Sequence, residues 1–179
     1  GTYGQLTLAA NGSYTYAANT AAADALDPGD VVSESFNYTV SDGNGGTDIA
    51  VITITIIGIN DNPVANNDTN SVAASQTLTV TDGSSDVLNN DTDVDAHASL
   101  SVSSITATTA GGSATDVNPG TTYSSGYTSV TGSYGTLRIG ADGTYQYIAG
   151  SNPGTDVFTY TLYDLSLIHI SEPTRPERI

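Results

Sequence analysis

Gly1-Thr2-Tyr3-Gly4-Gln5-Leu6 recurs in a close copy as Gly132-Ser133-Tyr134-Gly135-Thr136-Leu137, and this repetition indicates the fold. Asn11-Gly12-Ser13-Tyr14-Thr15-Tyr16 follows the first copy. At the same spacing, Asp142-Gly143-Thr144-Tyr145-Gln146-Tyr147 follows the second. A unit that occurs twice in one chain is typical of a tandem array of similar domains. Such arrays usually serve as spacers or binding surfaces rather than as enzymes.

A third matching stretch extends the repeat and shows where it stops. Residues 34–42, Glu-Ser-Phe-Asn-Tyr-Thr-Val-Ser-Asp, correspond to residues 156–164, Asp-Val-Phe-Thr-Tyr-Thr-Leu-Tyr-Asp. After Asp164 the correspondence ends. Residues 165–179 resemble the translation of a transposase sequencing adapter, and we interpret them as an artefactual tail without function. The alternative is a natural charged tail.

The apolar pattern of the chain predicts strands almost throughout. Short alternating segments are separated by turn residues, which is typical of a β-sandwich, and we predict an all-β chain of sandwich repeats, both incomplete. The one predicted helix is a short turn over Thr20–Leu26. The predicted strands are Gln5–Ala9, Ser13–Ala17, Ser35–Val40, Asp48–Ile57, Thr69–Ala73, Thr77–Thr81, Ser99–Thr106, Thr121–Val130, Tyr134–Ile139, Thr144–Ile148 and Val157–Tyr163.

The repeat register gives the predicted domain organisation. Residues 1–59 form the C-terminal half of one repeat, and residues 60–68 form an acidic linker. Residues 69–164 form a second repeat that lacks its last strand, and residues 165–179 are the artefactual tail. Each repeat is expected to expose an unpaired sheet edge, so we expect the isolated chain to be marginally stable or prone to aggregate.

Composition excludes several classes of function. Nineteen acidic residues face three basic ones, for a net charge of −16. Nucleic acid is therefore not an expected partner, and divalent cations are favoured. Cysteine is absent, so disulfides are excluded. No signal peptide or transmembrane run is visible, and membrane insertion is not expected. The natural part has one histidine, His97, without a nucleophile motif beside it, so we predict that the chain is not an enzyme.

Two acidic clusters are candidate calcium sites. Asp91, Asp93 and Asp95 alternate in one, and hard oxygen ligands at that spacing suit calcium. The cluster is not an EF-hand, because Ala96 and Val102 stand where that loop needs glycine and glutamate. Asn60, Asp61 and Asn62 with Asp68 form the second cluster, at the predicted junction between repeats. For both clusters the alternative is that these residues simply form turns or a flexible linker.

The chain resembles a known family along residues 1–164. The residues that carry the resemblance are the repeated Gly-x-Tyr-Gly unit, residues 36–46 (Phe-Asn-Tyr-Thr-Val-Ser-Asp-Gly-Asn-Gly-Gly) and Asn60-Asp61-Asn62-Pro63. As a set they are similar to the VCBS and bacterial cadherin-like repeats of giant secreted adhesins of the RTX type. The resemblance implies immunoglobulin- or cadherin-like sandwiches joined end to end, export, and calcium at the linkers. That family has an aspartate where this chain has Gly58.

The sequence and the resemblance together lead to one expected function. The chain is expected to be a non-catalytic extender or adhesion repeat of a large bacterial surface or secreted protein, stiffened by calcium and acting in adhesion or biofilm formation. Its partners would be the neighbouring repeats, with a cell-surface or glycan target bound through other domains. The alternative is an accessory β-sandwich module of an extracellular enzyme that degrades polysaccharide or protein. The predicted metal ligands are Asn60, Asp61, Asn62, Asp68, Asp91, Asp93 and Asp95.

Overall fold

The computed structural model describes residues 1–81 and 85–165 and confirms the all-β fold. In that part of the chain there are eleven strands and one four-residue helix. The strands are β1 (Gly4–Leu8), β2 (Tyr14–Ala18), β3 (Val31–Ser41), β4 (Thr47–Ile57), β5 (Thr77–Val80), β6 (Leu100–Ala107), β7 (Thr115–Asp116), β8 (Thr128–Thr131), β9 (Gly135–Ile139), β10 (Tyr145–Ala149) and β11 (Phe158–Asp164), and the helix is α1 (Ala21–Asp24).

The chain divides into two compact units. Unit 1 contains residues 1–61 and 94–98, and unit 2 contains residues 62–93 and the described residues from 99 onward. The sequence-based boundaries at residues 59, 68 and 164 remain predictions. Apart from Leu165, the predicted tail 165–179 lies outside the described residues.

Unit 1 consists of two antiparallel hairpins joined through α1. Gly12 closes the turn between β1 and β2 with φ of 85°, a conformation that glycine adopts without strain. The side chain of Asn11 supports the turn by accepting hydrogen bonds from the N–H and hydroxyl of Ser13. Strands β3 and β4 pair along their whole length, from Val31↔Ile57 to Ser41↔Thr47.

Unit 2 is a sandwich of a four-stranded and a three-stranded sheet. The strand orders are β5-β10-β9-β8 and β11-β6-β7. Residues of both sheets contribute to one apolar core, in which the most deeply buried side chains are Val102, Ile105 and Ile139. In β9 the buried Leu137 and Ile139 alternate with Thr136 and Arg138, which explains why this strand buries one face.

The repeated sequence folds into a repeated contact, which we call the carboxylate brace. In unit 1, Glu34 accepts hydrogen bonds from the Tyr3 N–H and the Tyr16 hydroxyl. In unit 2, Asp156 accepts hydrogen bonds from the backbone at 133 and 134 and from the Tyr147 hydroxyl. Each acid thus ties the Gly-x-Tyr-Gly turn to the second strand of its hairpin.

Two strand predictions are wrong in whole or in part. Thr69–Ala73 is irregular, and in this segment Asn70 donates a side-chain hydrogen bond to the Tyr145 hydroxyl. Of Thr121–Val130, only the residues from Thr128 onward are in a strand. In the preceding segment Thr122 Oγ1 accepts hydrogen bonds from the N–H groups of Ser124 and Ser125. Side chains that bond the local backbone favour turns over ladders. The short strand β7 was not predicted.

Deleting buried methyl groups from the core of unit 2 should lower its stability. Val102 is 1% exposed and Val157 is 50% exposed, so the same Val→Ala change tests burial at matched chemistry. We expect Val102→Ala to cost about 2 kcal/mol of unfolding free energy and Val157→Ala to stay within about 0.5 kcal/mol. Urea denaturation followed by circular dichroism measures both. Equal losses would contradict the assigned core.

Candidate metal centre

The irregular segment at the start of unit 2 brings two acidic stretches together. Val64 and Thr92 form an antiparallel bridge through both of their N–H groups, with N···O distances of 2.8 and 3.1 Å. Two residues further along, the Asn66 N–H donates to Asp91 Oδ1 at 2.7 Å, and the Asn66 amide donates to the Asn90 carbonyl. The bridge therefore holds residues 64–68 against residues 90–92.

Five acceptor oxygens surround the hydroxyl oxygen of Tyr160 on β11. They are the backbone carbonyl oxygens of Asn66 (3.0 Å) and Val87 (3.1 Å), both carboxylate oxygens of Asp91 (3.1 and 3.0 Å), and Asp68 Oδ2 (3.3 Å). A tyrosine hydroxyl has one hydrogen to donate. This group, the Tyr160 oxygen cluster, therefore presents more acceptors than the hydroxyl can satisfy.

The electrostatics of the cluster reflect its surplus of negative charge. Burial, together with hydrogen bonds and charge from Asp91 and Asp68, holds the pKa of Tyr160 far above its usual value. Asp68 is exposed as a residue, yet loss of hydration raises the pKa of its carboxyl group, and the charges of Asp91 and Asp86 add to the rise. Both shifts mean that additional negative charge is unfavourable at this position.

The donor set of the Tyr160 oxygen cluster fits a hard divalent cation. Carboxylates and backbone carbonyls are the ligands that calcium prefers, in sets of about six to eight oxygens. Asp68 and Asp91 were predicted as ligands from the sequence, and the structure brings these two together. The sequence did not indicate the carbonyl oxygens of Asn66 and Val87 or the hydroxyl of Tyr160. The only available signal for Tyr160 was its place in the repeat, opposite Tyr38.

Asp93 lies beside the last residue of β11. One of its carboxylate oxygens lies within 4.8 Å of a carboxylate oxygen of Asp164, the last residue of β11. Asp164 is buried and accepts a hydrogen bond from the Ser99 N–H at 3.1 Å. Sequence reasoning did not select Asp164, because it treated this residue as the end of the repeat. Asn62, another predicted ligand, is exposed in unit 2.

In unit 1 the structure places Asn60, Asp61 and Asp95 close together. The Asp61 N–H donates to Asp95 Oδ2 at 3.0 Å, and Asp95 is 5% exposed. Asn60 Oδ1 is buried and accepts no hydrogen bond from the described residues, although the Asn60 amide donates to the Asp61 carbonyl. A buried carbonyl oxygen without a donor is unfavourable and marks a position where a cation or water fits.

His97 follows the acidic stretch and pairs with Asp27 of the same unit. The His97 ring nitrogen Nδ1 contacts Asp27 Oδ2, and the His97 N–H donates to Asp27 Oδ1 at 3.0 Å. The hydrogen bond to Asp27 and its charge raise the pKa of His97, and Asp30 adds to the rise. The pair ties residues 94–98 to the turn after α1, so His97 has a structural role here.

Gly58 explains how this chain departs from the linker pattern that the resemblance implied. Gly58 is buried, and its N–H donates to the Asp30 carbonyl at 2.9 Å. A Cβ atom at this position would lie 2.1 Å from the Asp27 carbonyl oxygen and 2.8 Å from that of Leu26. The aspartate expected here does not fit this arrangement, since its side chain would collide with backbone.

Comparison with known proteins gives two matches. The model of the family described as "Bacterial cadherin-like domain" matches residues 1–58. A "Calcium-binding lectin RapA2" from Rhizobium johnstonii is 37% identical over 59 residues, which is 33% of this chain and 25% of that protein. The match thus covers about a quarter of the relative's length. No solved structure matches the chain. Among the described residues, no helix is long and apolar enough to cross a membrane.

The raised pKa of Asp68 predicts the sign of a pH effect. A carboxyl whose pKa is higher in the folded than in the unfolded state lowers stability when ionised, and this penalty disappears as the pH falls through the folded pKa towards about 3.9. Without divalent cations, Asp68→Asn should therefore raise the melting temperature at pH 7, and the gain should shrink towards pH 4. Asp116→Asn, at an exposed site in unit 2, serves as the control. A gain that is constant with pH would be evidence against the assigned cause.

The collision at Gly58 predicts that introducing the aspartate implied by the resemblance fails. We expect Gly58→Asp to lower the stability of unit 1 by about 1–3 kcal/mol, as overpacking does, without improving calcium affinity. Gly58→Ala separates the causes, because a backbone collision affects both variants whereas charge repulsion affects only the aspartate. Thermal unfolding and calcium titration measure the two effects. Tighter calcium binding by Gly58→Asp would disprove this explanation.

Proposed function

We propose that this chain is a non-catalytic extender or adhesion module of a large bacterial surface or secreted protein, and that calcium stiffens it. The Tyr160 oxygen cluster is the observation that carries the proposal. Two carboxylates and two backbone carbonyls from three separate segments converge there on one hydroxyl, in a chain with nineteen acids and three basic residues. The matches to a bacterial cadherin-like domain and to a calcium-binding lectin support the same class of function.

Calcium would act by neutralising the negative charge that the acidic side chains bring together. In unit 2, Asp68, Asp91 and the carbonyl oxygens of Asn66 and Val87 would hold one ion, and Asp93 with Asp164 would offer a second position. In unit 1, Asn60, Asp61 and Asp95 would hold another. Each ion would fix irregular segments that otherwise keep like charges close together, because the repulsion is then replaced by attraction to a common cation.

The stiffening would matter because such modules work in series. A tandem array keeps its two ends far apart only if the segments that join its repeats resist bending. The acidic residues at 60–68 and 91–95 lie next to the boundary between the two units in the sequence. The partners of this chain would then be neighbouring repeats, and binding of a cell surface would fall to other domains of the longer protein.

A calcium titration tests the proposal. At a free calcium concentration about a hundred times Kd, binding should add about 2.7 kcal/mol to the stability of the unit that binds the ion. We expect the melting temperature of the full chain to rise with calcium and to return on addition of a chelator. Asp91→Asn should remove most of the rise for unit 2, and Asp95→Asn most of the rise for unit 1.

Exposed carboxylates supply the matched controls for this titration. Asp116→Asn in unit 2 and Asp48→Asn in unit 1 remove the same charge away from the proposed ligands, and should leave the calcium response unchanged. If calcium raised the melting temperature of Asp91→Asn and of Asp116→Asn by the same amount, the effect would be general charge screening and not binding at the proposed ligands. No response in the unmodified chain would rule out calcium stiffening.

A second candidate function, direct binding of glycans, is favoured by the similarity to RapA2, whose name describes a lectin. The composition offers limited support, because the chain has no tryptophan to stack on a sugar ring, although it has eleven tyrosines. A glycan array probed with the full chain, with and without calcium, distinguishes the two functions. Saturable and calcium-dependent binding of one glycan class would favour the lectin function over a purely mechanical role.

A further inference from the structure

Strands β3 and β11 occupy the same place in the repeat but have different neighbours. Residues 35–42 correspond in sequence to residues 157–164. Strand β3 pairs with β4 along its full length. Strand β11 pairs with β6 and is the outer strand of its sheet in the described part of unit 2. In unit 1 the repeated strand is therefore covered by β4 along one edge. In unit 2 it is covered by β6 along the other edge.

Side-chain packing supports the equivalence of the two strands independently of the sequence. Phe36 of β3 packs against Tyr16 with a ring-centroid distance of 6.1 Å, and Phe158 of β11 packs against Tyr147 at 6.0 Å. Each tyrosine hydroxyl donates to the acid of the carboxylate brace in its own unit, Glu34 or Asp156, at 2.7 Å in both cases. The aromatic pair and the brace fix the same face of both strands towards the hairpin.

We propose that the outer edge of β11 is a docking site for an antiparallel strand with the sequence pattern of β4. An outer strand presents unpaired N–H and C=O groups, and an extended peptide can pair with them. The pattern of the partner follows from β4, which covers the equivalent strand β3. It alternates inward-facing residues such as Ala50 and Ile52 with outward-facing ones such as Val51.

The repeat also fixes the register of the docked strand. In unit 1 the pairs are Phe36↔Ile52, Asn37↔Val51 and Tyr38↔Ala50. Transferred to unit 2, they become Phe158↔Ile52, Thr159↔Val51 and Tyr160↔Ala50. All three positions of β11 precede the irregularity at Thr161/Leu162 in its pairing with β6. A slip of one residue would turn Ile52 towards solvent, so the side-chain pattern selects one register.

Cysteine cross-linking provides the direct test, because the chain contains no cysteine of its own. The probe is a synthetic peptide of residues 42–61, whose aspartates at both ends keep it soluble. Thr159 and Val51 are both exposed, so Thr159→Cys in the full chain and Val51→Cys in the peptide place two thiols on the outer face of the proposed ladder. Directly opposite residues lie within the distance that a disulfide needs.

The expected result is register-specific cross-linking. Under mild oxidation, the Val51→Cys peptide should couple to Thr159→Cys at least about ten times faster than an Ile52→Cys peptide, because residue 52 points to the opposite face. Anisotropy of a labelled peptide should report saturable binding to the unmodified chain, lost in an Ile52→Pro peptide that cannot complete the ladder. Absence of saturable binding, or equal coupling at 51 and 52, would overturn the proposal. Neither readout depends on calcium.

Discussion

The chain has nineteen acidic residues and three basic ones, so its carboxylates must be stabilised mainly without cationic side chains. The structure meets this constraint with N–H and O–H donors. Glu34 and Asp156 are braced by backbone N–H groups and tyrosine hydroxyls, and Asp42 by the backbone of its hairpin loop. Hydrogen bonds of this kind favour the charged carboxylate, as the lowered pKa of Asp42 shows. In the Tyr160 oxygen cluster, a single hydroxyl faces five acceptor oxygens.

The two copies of the repeat share the same hydrogen-bonding pattern even where their residues differ. Glu34 accepts the hydrogen bonds of the brace in unit 1, and Asp156 accepts them in unit 2. In each case one of the donors is a tyrosine hydroxyl. Loss of hydration and the neighbouring acid raise the pKa of Tyr16 and that of Tyr147 to about 12. A tyrosine that stays protonated remains a hydrogen-bond donor over the whole physiological pH range. The hydroxyl donors of both braces are therefore kept throughout that range.

The sequence was most reliable where hydrogen bonding and burial agree locally. The hairpin at Asn11-Gly12 and the long β-branched strand β4 follow from turn chemistry and alternation, and the structure contains both. The prediction failed at Thr69–Ala73 and in most of Thr121–Val130. Threonine, serine and asparagine are compatible with strands, but in these segments their side chains bond elsewhere, as Thr122 does with the backbone of residues 124 and 125. Such competition depends on partners that no local pattern indicates.

Three properties follow from the sequence alone, since they depend on composition and short-range periodicity: the all-β fold, the repetition of the hairpin unit, and the acidic, cysteine-free character that favours metal over disulfides. Which acids lie close together is visible only in the tertiary structure. It brought Asp68 and Asp91 to one tyrosine with two backbone carbonyls, paired Asp93 with Asp164, and placed Asn60 and Asp61 beside Asp95. Ligand groups of this kind come from segments far apart in the chain, and backbone oxygens carry no sequence signature, so packing alone assembles them.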